Sequence, residues 1–176
     1  MHGSTAATAV MRYHDFTPRI GFHSVCWTRF ERRCPLLMLL SGLPEVLADE
    51  EDLARFLTSR GHFNATMVRP AAFLPNPVDR KKSVCRHGRA PLADLWLLAR
   101  EYLPADTKLY GAGFCSAGDV RVSELEVEAS EPPRRHADIL GFPINEDPDL
   151  QKAADKARAA QLASKCGPPI LYVPTS

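Results

Sequence analysis

The clearest hydrophobic pattern in the chain is a helical stripe between Pro91 and Leu103. Six apolar or aromatic side chains recur at i, i+3, i+4, i+7, i+10 and i+11: Leu92, Leu95, Trp96, Ala99, Tyr102 and Leu103. Proline suits the first helical position, so Pro91 opens this helix, and Pro104 stops it. Because a buried leucine or tryptophan contributes roughly 1.5–3 kcal/mol, we expect the helix to lie on a sheet.

Several short stretches around this helix have the pattern of strands. They are residues 82–88, 108–115 and 125–129, and residues 136–142, after a proline pair, contain another short apolar run. The third alternates cleanly, with its leucine, valine and alanine on one side and its glutamates on the other. The second is weakened by two glycines, which permit a close backbone approach. Residues 116–119 are typical of a turn or of a single helical turn.

A further helix is predicted earlier in the chain, over residues 44–59. Pro44 suits its first turn, and the four acidic residues at 49–52 would favour a helix N-terminus there. Its apolar face would be short, formed by Leu53, Phe56 and Leu57. Gly61 would end it.

The last helix is predicted from Pro148 to about Lys165, with Asn145 or Asp147 as its N-cap. Its apolar face is thin and consists of Leu150, Ala154, Ala157 and Gln161. We therefore expect this helix to pack shallowly or to contact a partner, which would make an oligomer. The tail at 167–176 could add an edge strand, but we expect it to be loose.

Together these elements predict one small α+β domain at residues 38–166. Its sheet would be short, mixed or antiparallel, and covered by the 91–103 helix with the C-terminal helix alongside. The strands do not alternate regularly with helices, so a doubly wound sheet is less favoured. A chain of 176 residues with 45% hydrophobic residues suits a single core.

The first 37 residues differ from the rest, with five arginines against two acidic residues and no sustained hydrophobic period. Three interpretations remain open for them: a targeting peptide, a basic arm that touches nucleic acid, or a non-native leader before a start at Met38. We favour the leader. In each case we expect this segment to contribute little packing.

The net charge, the cysteine spacing and the length of the apolar runs limit the classes of function that this protein could have. A net charge of +1 and a pI near 7.7 argue against a strongly basic nucleic-acid binder. The five cysteines are odd in number and lack the two-residue spacing of zinc or redox motifs, which favours reduced thiols in a cytoplasmic protein. No run approaches the ~18 apolar residues of a membrane helix, so we expect a soluble protein without membrane contact.

The densest cluster of potentially functional side chains is Arg134, Arg135 and His136, directly after the proline pair. Two guanidiniums suit phosphate or carboxylate, and a histidine exchanges protons near neutral pH. The competing interpretation is structural: the arginines pair with glutamates at 126, 128 or 131, and His136 caps a carbonyl.

A second cluster, Arg86, His87 and Arg89, lies between a predicted strand and the start of the 91–103 helix. Loops at such positions commonly hold ligands, and a helix N-terminus favours anions. A solvated, charged loop is the competing interpretation. If both clusters met in space, they would form a cationic pocket. Cys85, beside them, is a weak candidate for a nucleophile, because adjacent strand residues point to opposite faces.

Two resemblances are carried by short motifs. The stretch Leu109-Tyr110-Gly111 faintly resembles the start of ADP-ribosyltransferase-type folds, which would give Tyr110 a ligand-binding role; the family's nicotinamide-gripping histidine is here Gly111. The motifs RPAAFLP (69–75), SVCR (83–86) and PPRRHADILGFP (132–143) resemble a group of small uncharacterised bacterial proteins. That second resemblance implies a bacterial or phage origin and one compact unit, and no activity.

The sequence therefore predicts an accessory or binding protein that holds an anion through its Arg/His clusters. The anion would be a phosphate, a nucleotide, a nucleic-acid backbone or an acidic partner surface. The alternative is a small transferase or hydrolase acting on a nucleotide-like substrate, with His136 or His87 as acid/base. The histidines are scattered singly, and no dinucleotide, P-loop or nucleophile-elbow motif occurs, so we expect no metal and no cofactor.

Overall fold

This computed structural model describes residues 41–174, all of which belong to one compact unit. The expectations for residues 1–37, including the start at Met38, fall outside the described part of the chain. The described part contains an antiparallel sheet with three α-helices, and so the predicted α+β class is confirmed.

Within residues 41–174 the sheet has six strands: β1 Asp52–Leu57, β2 Lys82–Arg86, β3 Gly111–Ser116, β4 Glu126–Ala129, β5 His136–Leu140 and β6 Ile170–Leu171. Their order across the sheet is β4-β5-β2-β1-β3-β6. The helices are α1 Leu92–Tyr102, α2 Ala117–Val122 and α3 Pro148–Lys165. Two 3-10 turns, Arg60–His62 and Pro70–Ala72, lie between β1 and β2.

The predicted helix at 44–59 is wrong, because Asp52–Leu57 is a strand near the centre of the sheet. It pairs with β2 on one side and with β3 on the other. A strand that is covered on both faces buries successive apolar side chains, so its sequence is a short, continuous apolar run. The hydrophobic periodicity of such a run cannot distinguish a buried strand from a buried helix. The acidic residues before it form a turn, not a helix start.

One face of the sheet is covered by α1, as predicted. Leu95, Leu98 and Ala99 of the helix pack on Phe56 and Cys85 of the sheet. Leu98 was not part of the predicted stripe, and Leu92 at the start of that stripe is exposed, so the buried face is rotated slightly toward Leu98.

The opposite face of the sheet is covered by α2 and α3. The buried face of α3 is Ala159, Leu162 and Ala163, which belong to the same larger core cluster as Leu53 and Leu57 of β1. The predicted face of this helix is therefore wrong: Leu150, Ala157 and Gln161 are exposed. An alanine-rich helix offers several weak faces of similar hydrophobicity, and tertiary packing chooses among them.

The C-terminal tail contributes β6, which pairs with Gly111 and Ala112 at one edge of the sheet. This is the edge-strand alternative considered for the tail. A side chain at Gly111 would lie 2.3 Å from the carbonyl oxygen of Ile170, so glycine allows the tail to approach this closely.

Candidate functional site

The two predicted Arg/His clusters meet at one end of the sheet. The backbone N–H of Arg86 donates to the carbonyl oxygen of Arg135 at 2.7 Å, directly beyond the paired residues of β2 and β5. The side chain of Arg135 forms a second contact between the same two segments, because its Nη1 donates to the carbonyl oxygen of His87 at 3.0 Å. The antiparallel pairing of β2 with β5 therefore joins two loops that lie about fifty residues apart in sequence.

Arg86 is already occupied by a structural ion pair. Its side chain is 1% exposed, and its Nε and Nη2 donate to the two carboxylate oxygens of Glu51 at 2.7 and 2.9 Å. Its Nη1 donates to the carbonyl oxygen of Pro44 at 2.7 Å. A bidentate pair of this kind uses most of the donors of the guanidinium, so Arg86 supports the junction and is not available to a ligand.

Arg135 holds an uncommon backbone conformation, with φ at +63°. Two contacts fix it: its N–H donates to Oε1 of Glu131 at 2.6 Å, and its side chain donates to His87 as described above. Glu131 also accepts hydrogen bonds from Ser41, and these contacts together lower the pKa of its carboxyl group against the opposing effect of burial. A non-glycine residue in the left-handed region costs about 1–3 kcal/mol and recurs at binding sites.

Arg134 and Arg89 are the two exposed arginines of these loops. The Nη2 of Arg134 lies 3.6 Å from Glu101, and both side chains are nearly half exposed. An ion pair of this type is worth at most about 1 kcal/mol, so an anionic ligand could replace Glu101 as the partner of Arg134. Arg89 is exposed and forms no ion pair with any residue between 41 and 174. The three arginines of the two joined loops, Arg89, Arg134 and Arg135, are called the arginine surface below, and Arg135 is the one that bridges the loops.

His87 is buried beside this surface, with its ring 5.3 Å from that of Phe114. Burial lowers its pKa, and the nearby charge of Arg135 lowers it further, whereas Asp52 and Asp94 act in the opposite direction. His87 is therefore neutral at pH 7 and adds no positive charge. Its backbone N–H donates to the carbonyl oxygen of Asp52, which fixes the loop to β1.

His136 belongs to a different constellation, on the face of the sheet that α1 covers. Its Nδ1 lies 2.6 Å from Oγ of Ser130, and its Nε2 lies 3.9 Å from Oδ1 of Asp138. The ring of Tyr102 packs at 5.5 Å, and the hydroxyl of that tyrosine donates to the carbonyl oxygen of Arg134. A serine, a histidine and a carboxylate in this order can in principle activate the serine oxygen.

The geometry of this constellation also has a structural explanation. Ser130 and His136 close the β4–β5 hairpin, since the N–H of Ser130 donates to the carbonyl oxygen of His136 at 3.0 Å. Nδ1 of His136 is also 3.2 Å from the carbonyl oxygen of Ser130, which matches the carbonyl-capping role considered from the sequence. The Asp138 contact is longer than a hydrogen bond.

Cys85 has the environment of a core thiol. Its side chain is fully buried under α1, and burial raises its pKa to about 11, although Tyr102 and the nearby arginines act in the opposite direction. A thiol that is protonated at neutral pH and closed to solvent is a poor nucleophile.

Tyr110 lies away from both clusters. Its ring packs 5.9 Å from that of Phe63 and under the ammonium group of Lys108, and its backbone binds Leu57 and Tyr172. Leu57 ends β1, whereas Arg86 faces the start of β1, so Tyr110 sits at the opposite end of the sheet.

Two acidic residues of the site were missed from the sequence. Asp138 follows His136 by two positions on one strand, a spacing that places both side chains on the same face and could have indicated the pair. Glu51 could not be found in this way, because its partner Arg86 is 35 residues away and the acidic run had been interpreted as a helix start.

Between residues 41 and 174, no group of three or more His, Cys, Asp or Glu side chains is placed to hold a metal ion. No helix in the same range is both long enough and apolar enough to span a membrane.

Comparisons of the chain with protein-family models, with curated proteins and with solved structures gave no match. We therefore infer the function from the geometry of the side chains.

Proposed function

We propose that this protein binds a phosphate-bearing anion, such as a nucleotide, at the arginine surface. The observation that supports this is the convergence of the two loops at the junction of Arg86 with Arg135. Arg135 is held rigidly there, and two exposed arginines stand in the same loops without strong carboxylate partners. Guanidinium groups in a fixed position suit phosphate, because their planar donors match its oxygens.

The sequence predicted that all the arginines of the two clusters bind the ligand directly, whereas the proposed roles differ from residue to residue. Arg89 and Arg134 would contact the anion, and Arg135 would contribute charge from a fixed position. Arg86 acts indirectly, by holding the junction together through Glu51. His87 would form a neutral wall beside the anion and could donate one hydrogen bond from its ring.

The test is binding of a fluorescent nucleoside triphosphate by the full chain and by the double variant Arg89→Ala/Arg134→Ala. Both side chains are exposed, so the variant should fold normally. We expect about a tenfold or greater loss of affinity, since each charge-assisted hydrogen bond contributes roughly 1.5–3 kcal/mol. A matched control removes two exposed positive charges from α3, as Lys152→Ala/Lys156→Ala. Equal affinity for the arginine variant and the control would contradict the proposal.

The same variants distinguish the kinds of anion. A single-stranded oligonucleotide should lose affinity as salt rises, and each arginine removed should flatten that dependence by about one unit of slope. If the oligonucleotide binds much more tightly than the nucleotide, the ligand is a nucleic-acid backbone. If neither binds, an acidic protein surface is the remaining candidate for this site.

A second candidate function, a small hydrolase or transferase, is favoured by one observation: the 2.6 Å contact between Ser130 Oγ and His136 Nδ1. In this mechanism His136 removes the proton of Ser130 while Asp138 stabilises the charged ring. Labelling of Ser130 by a fluorophosphonate, lost on His136→Ala with nucleotide binding retained, would support it. Labelling that is absent from the wild-type chain, together with no turnover, would exclude this role for the serine.

The remaining expectations from the sequence form part of the same proposal. They are a bacterial or phage origin, a cytoplasmic location and an oligomer formed through α3. On that helix, Leu150 is 61% exposed and faces away from the core. Gel filtration of wild type and of Leu150→Glu would test the oligomer.

A further inference from the structure

Three basic side chains, Arg55, His62 and Lys82, lie near one another on the side of the sheet opposite α1. Lys82 begins β2 and Arg86 ends it, so this group and the arginine surface are at opposite ends of a five-residue strand. At about 3.3 Å per residue, the two ends are roughly 13 Å apart. The three residues are called the cation cluster below.

The register of the sheet brings Arg55 to Lys82. Leu53 pairs with Arg86 and Ala54 with Cys85, and continuing this antiparallel register places Arg55 diagonally beside Lys82 on one face. The contacts of Arg55 agree with that position, because its Nη1 donates to the carbonyl oxygen of Ser83 at 3.0 Å.

The guanidinium of Arg55 is fixed by backbone groups and not by a carboxylate. Its Nε donates to the carbonyl oxygen of Ala72 at 2.9 Å, and its Nη1 donates to Ser83. These neutral acceptors hold the group in place but leave its charge uncompensated. Burial lowers the pKa of Arg55, yet the group remains protonated at neutral pH.

The other two basic groups of the cluster show the effect of the charge on Arg55. Burial and then the neighbouring Arg55 lower the pKa of Lys82 to about 8. Burial, Arg55 and Lys82 together lower the pKa of His62. None of these causes is a carboxylate, and the ion pairs found between residues 41 and 174 do not include any of the three.

Neighbouring basic residues are treated differently by the fold. Lys81, the residue before Lys82, lies 3.4 Å from Glu128, and Arg80 forms a bidentate pair with Asp155. Arg80 and Lys81 are therefore each paired with a carboxylate, whereas the next residue, Lys82, forms no ion pair with the described residues. Two mostly buried like charges, Arg55 and Lys82, repel one another here without a counter-charge from the described residues, and a bound anion would remove that repulsion.

We propose that the cation cluster is a binding site for a small oxyanion, namely inorganic phosphate or the phosphate of a phosphomonoester. The fixed guanidinium of Arg55 would supply the permanent charge, and the ammonium of Lys82 would donate to the ligand from the other side. All three side chains keep part of their surface exposed, which leaves a route for a ligand of this size. A divalent phosphate suits the site better than a carboxylate, because it offers more charge and more acceptor oxygens to three donors.

This site does not rest on the arginine surface, and its test is separate. The full chain is titrated with inorganic phosphate by calorimetry, and the ring signals of His62 are followed by NMR. We expect a saturable heat and a shift of the His62 signals. Lys82→Met should reduce affinity about tenfold or more, the loss of one charge-assisted hydrogen bond. The matched control is Lys81→Met, the same change at the adjacent, carboxylate-paired residue, which should bind phosphate as wild type does.

A third variant protects the test against a folding defect. Lys82→Arg keeps the charge, so it should retain phosphate binding even if Lys82→Met is destabilised. The proposal is overturned if wild type shows no saturable phosphate binding, or if Lys81→Met and Lys82→Met lose affinity equally. The variant Arg89→Ala/Arg134→Ala should bind phosphate here normally, so a failure of one site leaves the other open to its own test.

Discussion

The buried pair between Arg86 and Glu51 gives the sharpest prediction for stability. Arg86 is 1% exposed and spans from β2 to the segment before β1, where Glu51 receives two of its hydrogen bonds. The substitution Glu51→Gln keeps the shape of the side chain and removes only its charge. It leaves the buried guanidinium of Arg86 without the carboxylate to which it is hydrogen-bonded.

The size of the effect follows from the surroundings of the pair. Breaking a buried ion pair from one side costs about 3–5 kcal/mol. Here the Glu51 side chain is 15% exposed and the Pro44 carbonyl still accepts one bond, so we expect a cost at or just below the lower end of that range. We expect a loss of about 2–3 kcal/mol in the free energy of unfolding, which for a domain of this size lowers Tm by roughly 6–12 °C.

Urea denaturation followed by circular dichroism measures this loss. The matched control is Asp49→Asn, another acidic residue two positions earlier, whose partner Arg121 is at the surface; it should change stability by less than about 0.5 kcal/mol. Replacing both partners, as Glu51→Leu with Arg86→Met, should recover most of the loss, because an apolar pair leaves no buried charge. If Glu51→Gln matched Asp49→Asn within error, the pair would not have the structural role described here.

Three further predictions concern other elements. Asp155→Asn should destabilise the protein at pH 7; because Arg80 lowers the pKa of Asp155, this difference from wild type should shrink as pH falls below about 4, where the unfolded carboxyl takes up its proton. Gly111→Ala should cost about 1–3 kcal/mol and detach β6, since its Cβ would lie 2.3 Å from the carbonyl oxygen of Ile170; hydrogen exchange of the tail measures this. Asp147→Ala should cost about 1 kcal/mol by removing the N-cap of α3, measured by thermal melting.

Controls for the first two of these predictions come from the same chain. Gly167→Ala should be nearly neutral, because no atom lies within 4 Å of its added Cβ. Asp106→Asn is the control for the pH dependence of Asp155→Asn, since Asp106 is exposed and forms no ion pair with the described residues. A constant difference between Asp155→Asn and wild type from pH 7 to pH 3 would contradict the assigned role of Arg80. An unchanged tail in Gly111→Ala would contradict the close approach of β6.

Local signals in the sequence predicted most of the elements. The stripe at 91–103 predicted α1, and Asp147 followed by Pro148 predicted the start of α3, because caps and periodicity act within a few residues. The strand at 52–57 was not predicted for the opposite reason. Its identity depends on partners at 82–86 and 111–116, which no local pattern reveals.

The site shows the same division between local and distant information. The meeting of the two Arg/His clusters was a hypothesis from composition, and it depended on a β2–β5 pairing that the sequence does not encode locally. The sequence also could not predict which arginines have guanidinium groups free to bind a ligand. Arg86 is occupied and Arg89 is not, a difference set by Glu51, which reaches Arg86 only in the folded chain.

The position of β1 between β2 and β3 also determines when the fold can form. Its two partners begin 30 and 59 residues later in sequence, so both edges of β1 remain open while those residues are being synthesised. By contrast, β4 and β5 are close neighbours in the chain and can close as a hairpin by themselves. At about 5–20 residues per second on the ribosome, the interval is several seconds. Because distant pairings fold slowly, we expect β1 to be the segment most exposed to misassociation during synthesis and refolding.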